Sequence, residues 1–531
     1  MRLPDTIQKL LVFILVISGS IISKETFSQT RHQKELINPV HGKIMLIGEG
    51  EMLPNIKATF AFLAGEKTGR LVIITDSQKK SNKHIAQWEG LFMEVSVLST
   101  SKNKEYIASE GAEILREATA VWIAAEVINS DLNISLKNEL KSLLLRGGVI
   151  GGQGKDAEAL ATVVRRNNEF QSGLNILPNS YITTSEDEDK FAKSVSGVPG
   201  KVGWRIPSGA AIVIHNGREI SVIGYNEITL RTAAHGAWPE RVEKLGPPID
   251  DLPYTADLIS WNRSAVARLG DIFPPETAPD PEVKNGALLI IGGHGFPKGM
   301  WDLVVDYAGG TDANYVCFSQ SSDCTGASKL RAKGCRNVSV HMIKTGVEGI
   351  GQGEDEKLLE DLKGADVVYF GGGRTYQYMD ALEQTQAHEL INDVLKRGGM
   401  ILGSSAGAQI QGDFLVRGDP RTNNTLWLEG NDKGLGFLQG VIIDAHFRER
   451  GREDILPSLL LQHSQMLGIG IDETTAILVK GSIAEVIGPH TVTFYDSSTS
   501  KTTETNQEDH IKTVILMDGE KYDLKKRQKT E

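Results

Sequence analysis

The feature that most constrains this chain is a series of landmarks that it runs through twice. Gly42-Lys43-Ile44-Met45-Leu46-Ile47-Gly48 reads as a buried strand ending in glycine, and Gly286-Ala287-Leu288-Leu289-Ile290-Ile291-Gly292 repeats the pattern. Each is followed by an apolar-periodic helix and a second strand, at residues 70–75 in one case and 313–318 in the other. A third strand, at residues 120–125 or 366–371, precedes a helix that ends in Arg-Gly-Gly, at Arg146-Gly147-Gly148 and at Arg397-Gly398-Gly399. Further on, residues 173–177 match 434–438, and residues 211–224 match 476–488. The shared order recurs at an offset of about 245 to 265 residues, which is domain length rather than solenoid length. The chain therefore reads as two copies of one domain. Strands alternating with helices imply an α/β fold with a doubly wound, mostly parallel sheet in each copy.

At 531 residues the chain is too long for a single ordinary core, which agrees with two domains. The expected limits are 40–244 and 286–496. Between them, residues 245–285 form a proline-rich connector with one short helix around 256–269. Residues 497–531 read as a polar tail holding a hairpin with an Asp518-Gly519 turn. At the start, Arg2 and Lys9 precede an apolar run over residues 10–22 and then a polar stretch. Residues 1–30 thus have the layout of a cleaved secretory signal, too short in apolar length for a stable span, and imply a periplasmic or extracellular protein. An uncleaved anchor is the alternative. A formal net charge of −11 without any Lys/Arg cluster argues against nucleic acid as a partner. The three cysteines, Cys317, Cys324 and Cys335, lack Cys-x-x-Cys spacing, so no zinc site is expected. Export would permit one disulfide among them, with the pairing open.

The two copies differ in their chemistry. After the second Arg-Gly-Gly comes Met400-Ile401-Leu402-Gly403-Ser404-Ser405-Ala406-Gly407-Ala408, a short strand leading into a Gly-x-Ser-x-Gly elbow. Such an elbow exposes a serine at the top of a sheet, and a helix starting at Ala406 offers free N–H groups to an oxyanion. The first copy reads Gly152-Gln153-Gly154-Lys155-Asp156, with Gly154 where Ser405 stands. His446 lies 41 residues after Ser405, at the end of an apolar strand, where an imidazole could take the serine proton. An ungapped match puts Ser185 opposite it. The first copy thus lacks nucleophile and base, and reads as catalytically dead.

Three motifs then carry a family resemblance: Gly403-Ser404-Ser405-Ala406-Gly407-Ala408, Asp444-Ala445-His446-Phe447 with Arg450 and Arg452, and Leu467-Gly468-Ile469-Gly470-Ile471-Asp472-Glu473-Thr474. Over about residues 286–496 the chain resembles cyanophycinase and its serine-peptidase relatives, including aspartyl dipeptidase. The resemblance implies a fold like that of class I glutamine amidotransferases, with serine in place of the usual cysteine. It also implies cleavage of peptide or isopeptide bonds next to aspartyl residues, with an aspartyl dipeptide or a cyanophycin-like polymer as substrate. By resemblance, Ser405 is the nucleophile and His446 the base. The N–H of Ala406 and a glycine of the 371–373 run, Gly372 or Gly373, form the oxyanion hole, and Asp444, Arg450 and Arg452 line the substrate pocket. The acidic third member is expected within residues 418–423, where Asp419 is the nearest carboxylate. The chain departs from the family at Ala445, where relatives have glutamine, and at Ile455, where a third pocket arginine falls.

Asp472 and Glu473 are adjacent in an extended stretch, so their side chains point to opposite faces and they read as structural. The glycines at 292–295 and 371–373 read as tight turns, since no Gly-Lys-Ser/Thr follows. No cofactor or metal is expected. Two other readings remain: an α/β-hydrolase esterase using Gly293-His294-Gly295 as its oxyanion loop, and a non-catalytic binding or scaffolding protein. The duplication suggests a pseudo-dimer within one chain, with a homodimer as the alternative.

Overall fold

A computed structural model describes residues 41–100, 110–125, 130–247, 252–498 and 511–530. The expected export signal, residues 1–30, lies outside the described residues. The chain divides into two compact units, residues 36–273 with 420–422, and residues 274–419 with 423–531. Each is a mixed α/β structure built on two sheets among the described residues. None of the described helices is long and apolar enough to cross a membrane.

In the C-terminal unit the larger sheet starts with Asn337–Met342, Asn314–Ser319, Val367–Phe370, Met400–Ser404 and Val283–Ile291, all parallel. It continues antiparallel through Ala476–Gly481, Ile483–Ile487, Lys521–Asp523 and Gln528–Lys529. Met400–Ser404 is buried along its whole length, as a parallel strand covered on both faces must be. In the N-terminal unit the larger sheet runs Glu94–Ser99, Arg70–Thr75, Ala120–Ala124, Val149–Gln153 and Lys43–Ile47 in parallel. It ends antiparallel with Ala210–His215, Glu219–Gly224 and Ala256–Asp257. Each large sheet thus has the expected parallel core of five strands, with antiparallel strands added along one side.

The recurrent Arg-Gly-Gly has a structural cause. Arg397 donates from Nη2 to the carbonyl of Ala365 (3.0 Å), just past the Glu356–Lys363 helix. Arg146 donates in the same way to the carbonyl of Leu115 (3.1 Å) in the Ala112–Glu117 helix. In each unit the arginine satisfies carbonyls that the neighbouring helix end leaves over.

Two expected boundaries shift. The Asp518-Gly519 turn forms, with the Glu520 N–H donating to the Met517 carbonyl (3.0 Å), but its flanking strands do not pair as a hairpin. Lys512–Leu516 joins Val492–Asp496, and Lys521–Asp523 joins Ile483–Ile487, so the chain changes sheets at the turn. Leu516, Tyr522 and Leu524 lie in the main core, which makes residues 511–530 part of the second unit rather than a polar tail. In the connector, Ala256–Asp257 pairs with Glu219–Gly224, and the Leu258–Ala267 helix buries Trp261 in the core of the first unit.

The smaller sheet of the C-terminal unit places the rest of the site. It orders Gly412–Phe414, Leu438–Ala445, Leu467–Ile471, Val492–Asp496 and Lys512–Leu516. Leu438–Ala445 and Leu467–Ile471 are parallel, with Ala445 opposite Ile471, so the residues just beyond both strands emerge together.

Candidate active site

Ser405 follows the Met400–Ser404 strand and precedes the short Ala406–Gln409 helix. Its backbone sits at φ 57° and ψ −115°, a left-handed conformation that a side-chain-bearing residue adopts under strain. Two bonds hold it there: its N–H donates to the Ile291 carbonyl (3.0 Å), and its carbonyl accepts from the Ala408 N–H (2.9 Å).

His446 directly follows the Leu438–Ala445 strand and is also left-handed, at φ 52°. Its N–H donates to the Gly292 carbonyl (2.9 Å). The imidazole Nε2 lies 2.8 Å from Ser405 Oγ, and Nδ1 lies 2.7 Å from Glu473 Oε1. An ionised carboxylate only accepts, so Nδ1 carries the proton and Nε2 offers its lone pair to the serine hydroxyl. Burial pushes the imidazole below its usual range, the Glu473 bond opposes this, and the Arg450 and Arg452 charges reinforce it. The net shift is downward, which keeps the ring neutral near pH 7. Space for the ring depends on Gly293, since a Cβ there would stand 2.5 Å from His446 Cε1 and 2.6 Å from Nε2.

The acid beside the imidazole is Glu473, not Asp419. Asp419 is fully buried elsewhere, its Oδ2 accepting from Thr425 Oγ1 (3.0 Å) and its carbonyl accepting from Arg374 Nη2 (2.7 Å). Asp472 and Glu473 do point opposite ways. Asp472 takes Arg448 Nε (2.7 Å) and Thr491 Oγ1 (2.7 Å), whereas Glu473 turns to His446. Opposite faces exclude a shared role for the pair but leave either one free for the site. The signal that could have found Glu473 is its place just beyond the next parallel strand after that of His446.

Gly372 lies beside the serine: a Cβ built on it would be 3.5 Å from Ser405 Cβ and 3.9 Å from Oγ. Gly373 instead backs onto Gln320, whose Oε1 would be 2.2 Å from such a Cβ. Gln320 braces this loop through both backbone groups of Arg374, accepting from its N–H (2.7 Å) and donating to its carbonyl (2.8 Å). Ala406 is the first residue of its helix, so its N–H has no acceptor within that helix. Gly372 and Ala406 therefore flank the nucleophile.

The expected pocket residues separate. Arg452 and Asp444 are ion-paired with each other and buried, at 5% and 0% exposure. Asp444 also accepts from Arg417 Nη2 (3.2 Å) and Gln409 Nε2 (3.0 Å), so it ties the serine helix to the histidine strand. Both are committed to the scaffold, which corrects their expected place in the substrate pocket. Arg450 is exposed, and among the described residues its guanidinium makes no ion pair.

A half-buried serine, a neutral imidazole and a carboxylate in hydrogen-bonded series form a hydrolytic centre of the serine type. The profile of Peptidase family S51 matches residues 330–487, a stretch containing all three. The chain is 31% identical over 266 residues to the cyanophycinase of Geminocystis herdmanii, covering 46% of this chain and 96% of that protein. It is 25% identical over 205 residues to peptidase E of Pasteurella multocida, covering 37% of this chain and 83% of that one. A solved peptidase from an acI-B1 Actinobacterium aligns with 45% of this chain and 97% of its own at 17% identity, with a TM-score of 0.34. The chain belongs to peptidase family S51 and is a serine-type peptidase.

Proposed function

We propose that the C-terminal unit cleaves peptide or isopeptide bonds next to aspartyl residues through an acyl-enzyme on Ser405. The observation that carries this is the series Ser405 Oγ, His446, Glu473, at 2.8 Å and 2.7 Å. Ser405 Oγ attacks the scissile carbonyl while its proton passes to His446 Nε2. The N–H groups of Gly372 and Ala406 stabilise the oxyanion, and Glu473 stabilises the imidazolium. Collapse of the adduct breaks the C–N bond, with the His446 proton going to the leaving amine. Water then hydrolyses the ester, with His446 again taking a proton.

Support for the aspartyl preference comes from Arg450, an exposed cation near His446 suited to a substrate carboxylate, and from the cyanophycinase and peptidase E relatives. The first unit acts as a non-catalytic copy; the order of its large sheet supports this, as does Gly154 at the serine position. The two copies stand in for the subunits of a dimer, and residues 1–30 direct export. A fluorophosphonate is expected to label the wild type, with no labelling of Ser405→Ala. Turnover of cyanophycin, β-Asp-Arg and α-aspartyl dipeptides, compared with dipeptides lacking aspartate, reads the preference. Equal rates on both sets would remove the aspartyl reading, and an unlabelled wild type would remove the mechanism. A single-chain mass in solution is the outcome that fits the internal pseudo-dimer.

A further inference from the structure

The segment carrying the base is joined stepwise to the segment carrying the acid. Phe447 N–H donates to the Ile471 carbonyl (3.2 Å), and the Phe447 ring fills the space over Gly470. Next, Arg448 N–H donates to Asp472 Oδ1 (3.2 Å), while its guanidinium holds Asp472 Oδ2 (2.7 Å). One residue further, the direction reverses: the Glu473 N–H donates to Glu449 Oε2 (3.1 Å). The adjoining residue is pinned as well, with Thr474 N–H donating to the Gly293 carbonyl (2.9 Å). The Glu473 side chain is partly exposed and has several rotatable bonds, so its reach to Nδ1 depends on where its backbone is held.

We propose that Glu449 is a positioning residue for the reaction, its carboxylate gripping the Glu473 amide so that the Glu473 side chain stays on His446 Nδ1. The inference rests on the Ser405–His446–Glu473 reading above. In the N-terminal unit a carboxylate also takes the matching amide, Ser208 N–H donating to Glu186 Oε1 (2.8 Å), but Glu186 follows Ser185 by one residue whereas Glu449 follows His446 by three, so the clamp is made from a different position in each unit. The charged groups facing His446 are Glu473, Arg450 and Arg452, and His294 Nδ1 stands 4.0 Å from the second Glu473 oxygen.

The test compares Glu449→Ala, Glu449→Gln and Glu186→Ala in the full chain. Glu449→Ala is expected to lower kcat by about tenfold or more with little change in KM, because a displaced acid misplaces the base. NMR titration of the His446 imidazole should show its midpoint moving down, because the Glu473 bond that raises it is weakened. Glu449→Gln keeps an acceptor oxygen and should restore both rate and midpoint, while Glu186→Ala should leave both at wild-type values. Wild-type rate and midpoint in Glu449→Ala would overturn the proposal. So would equal losses in Glu449→Gln, or an equal loss of rate in Glu186→Ala. If the wild type itself fails to label with a fluorophosphonate, the hydrolytic reading falls, and the His446 midpoint still decides the clamp.

Discussion

The turns at Ser405 and Gly154 are the same piece of backbone carrying different side chains. Gly154 sits at φ 58° and ψ −139°, against 57° and −115° at Ser405. Its N–H donates to the Ile47 carbonyl (2.8 Å) and its carbonyl accepts from Ala157 (3.0 Å), as Ser405 does with Ile291 and Ala408. A helix of four residues follows each turn. The surrounding positions then diverge. Gly48 and Gly292 make matching bonds to the Ala210 and Thr475 carbonyls, which sets Glu49 against Gly293 and Ser208 against Glu473. Where Gly293 leaves room for an imidazole, the Glu49 side chain packs instead against Gly154, 3.2 Å from a Cβ built there. The strained turn is thus a property of the fold. Chemistry needs four further choices at once: a serine, a histidine, an acid and a glycine that makes room. Glycine bears the conformation without a Cβ penalty, whereas serine carries roughly 1–3 kcal/mol of strain.

Replacing the acid should separate the two turns most sharply. Glu473→Gln is expected to cut kcat by about 10⁴-fold, because an amide can donate to Nδ1 and favour the wrong tautomer. Asp419→Asn, at the position expected from the family, should leave kcat nearly unchanged. Steady-state kinetics on one substrate reads both. Next in size, Gly293→Ala makes the second turn resemble the first by crowding the imidazole, and a loss of about 10²-fold or more is expected. Retention of full activity would show that the ring does not need that space.

Smaller effects follow from charge. With His446 as the base of the proposed mechanism and its pKa lowered by burial, kcat/KM should rise with pH through a midpoint below 6.5 and be lost as pH falls through it. A midpoint above 6.5 in the wild-type profile would contradict the environment described. Least of all, Gly154→Ser should produce no turnover in a Ser405→Ala background, because Ser185 and Ser208 supply neither base nor acid. It should destabilise the chain by about 1–3 kcal/mol in denaturant unfolding.

Contiguous motifs are what the sequence makes legible: Arg-Gly-Gly recurs because Arg146 and Arg397 each bond a carbonyl at a neighbouring helix end, 31 and 32 residues earlier in the chain. The Ser405 elbow was legible for the same reason. Glu473 was not, because its meeting with His446 depends on Leu438–Ala445 pairing with Leu467–Ile471, a non-local choice. Asp444 and Arg452 fall in the pocket by resemblance alone, and a matched motif shows which groups are near a site, not that they satisfy each other beneath it. The end of the chain looked loose because its polar residues outnumber the three apolar side chains, Leu516, Tyr522 and Leu524, that anchor it.

The pairing of Ala445 with Ile471 has a consequence for which changes this chain can tolerate. Side chains alternate between faces along a strand, so one residue inserted into either strand reverses every side chain beyond it. An insertion of that kind before His446 or before Glu473 would turn one partner away from the other, with both residues still present and the family motifs still recognisable. The centre is a matter of phase as much as of composition. Length variation among working relatives should therefore fall in the loops and spare these two strands.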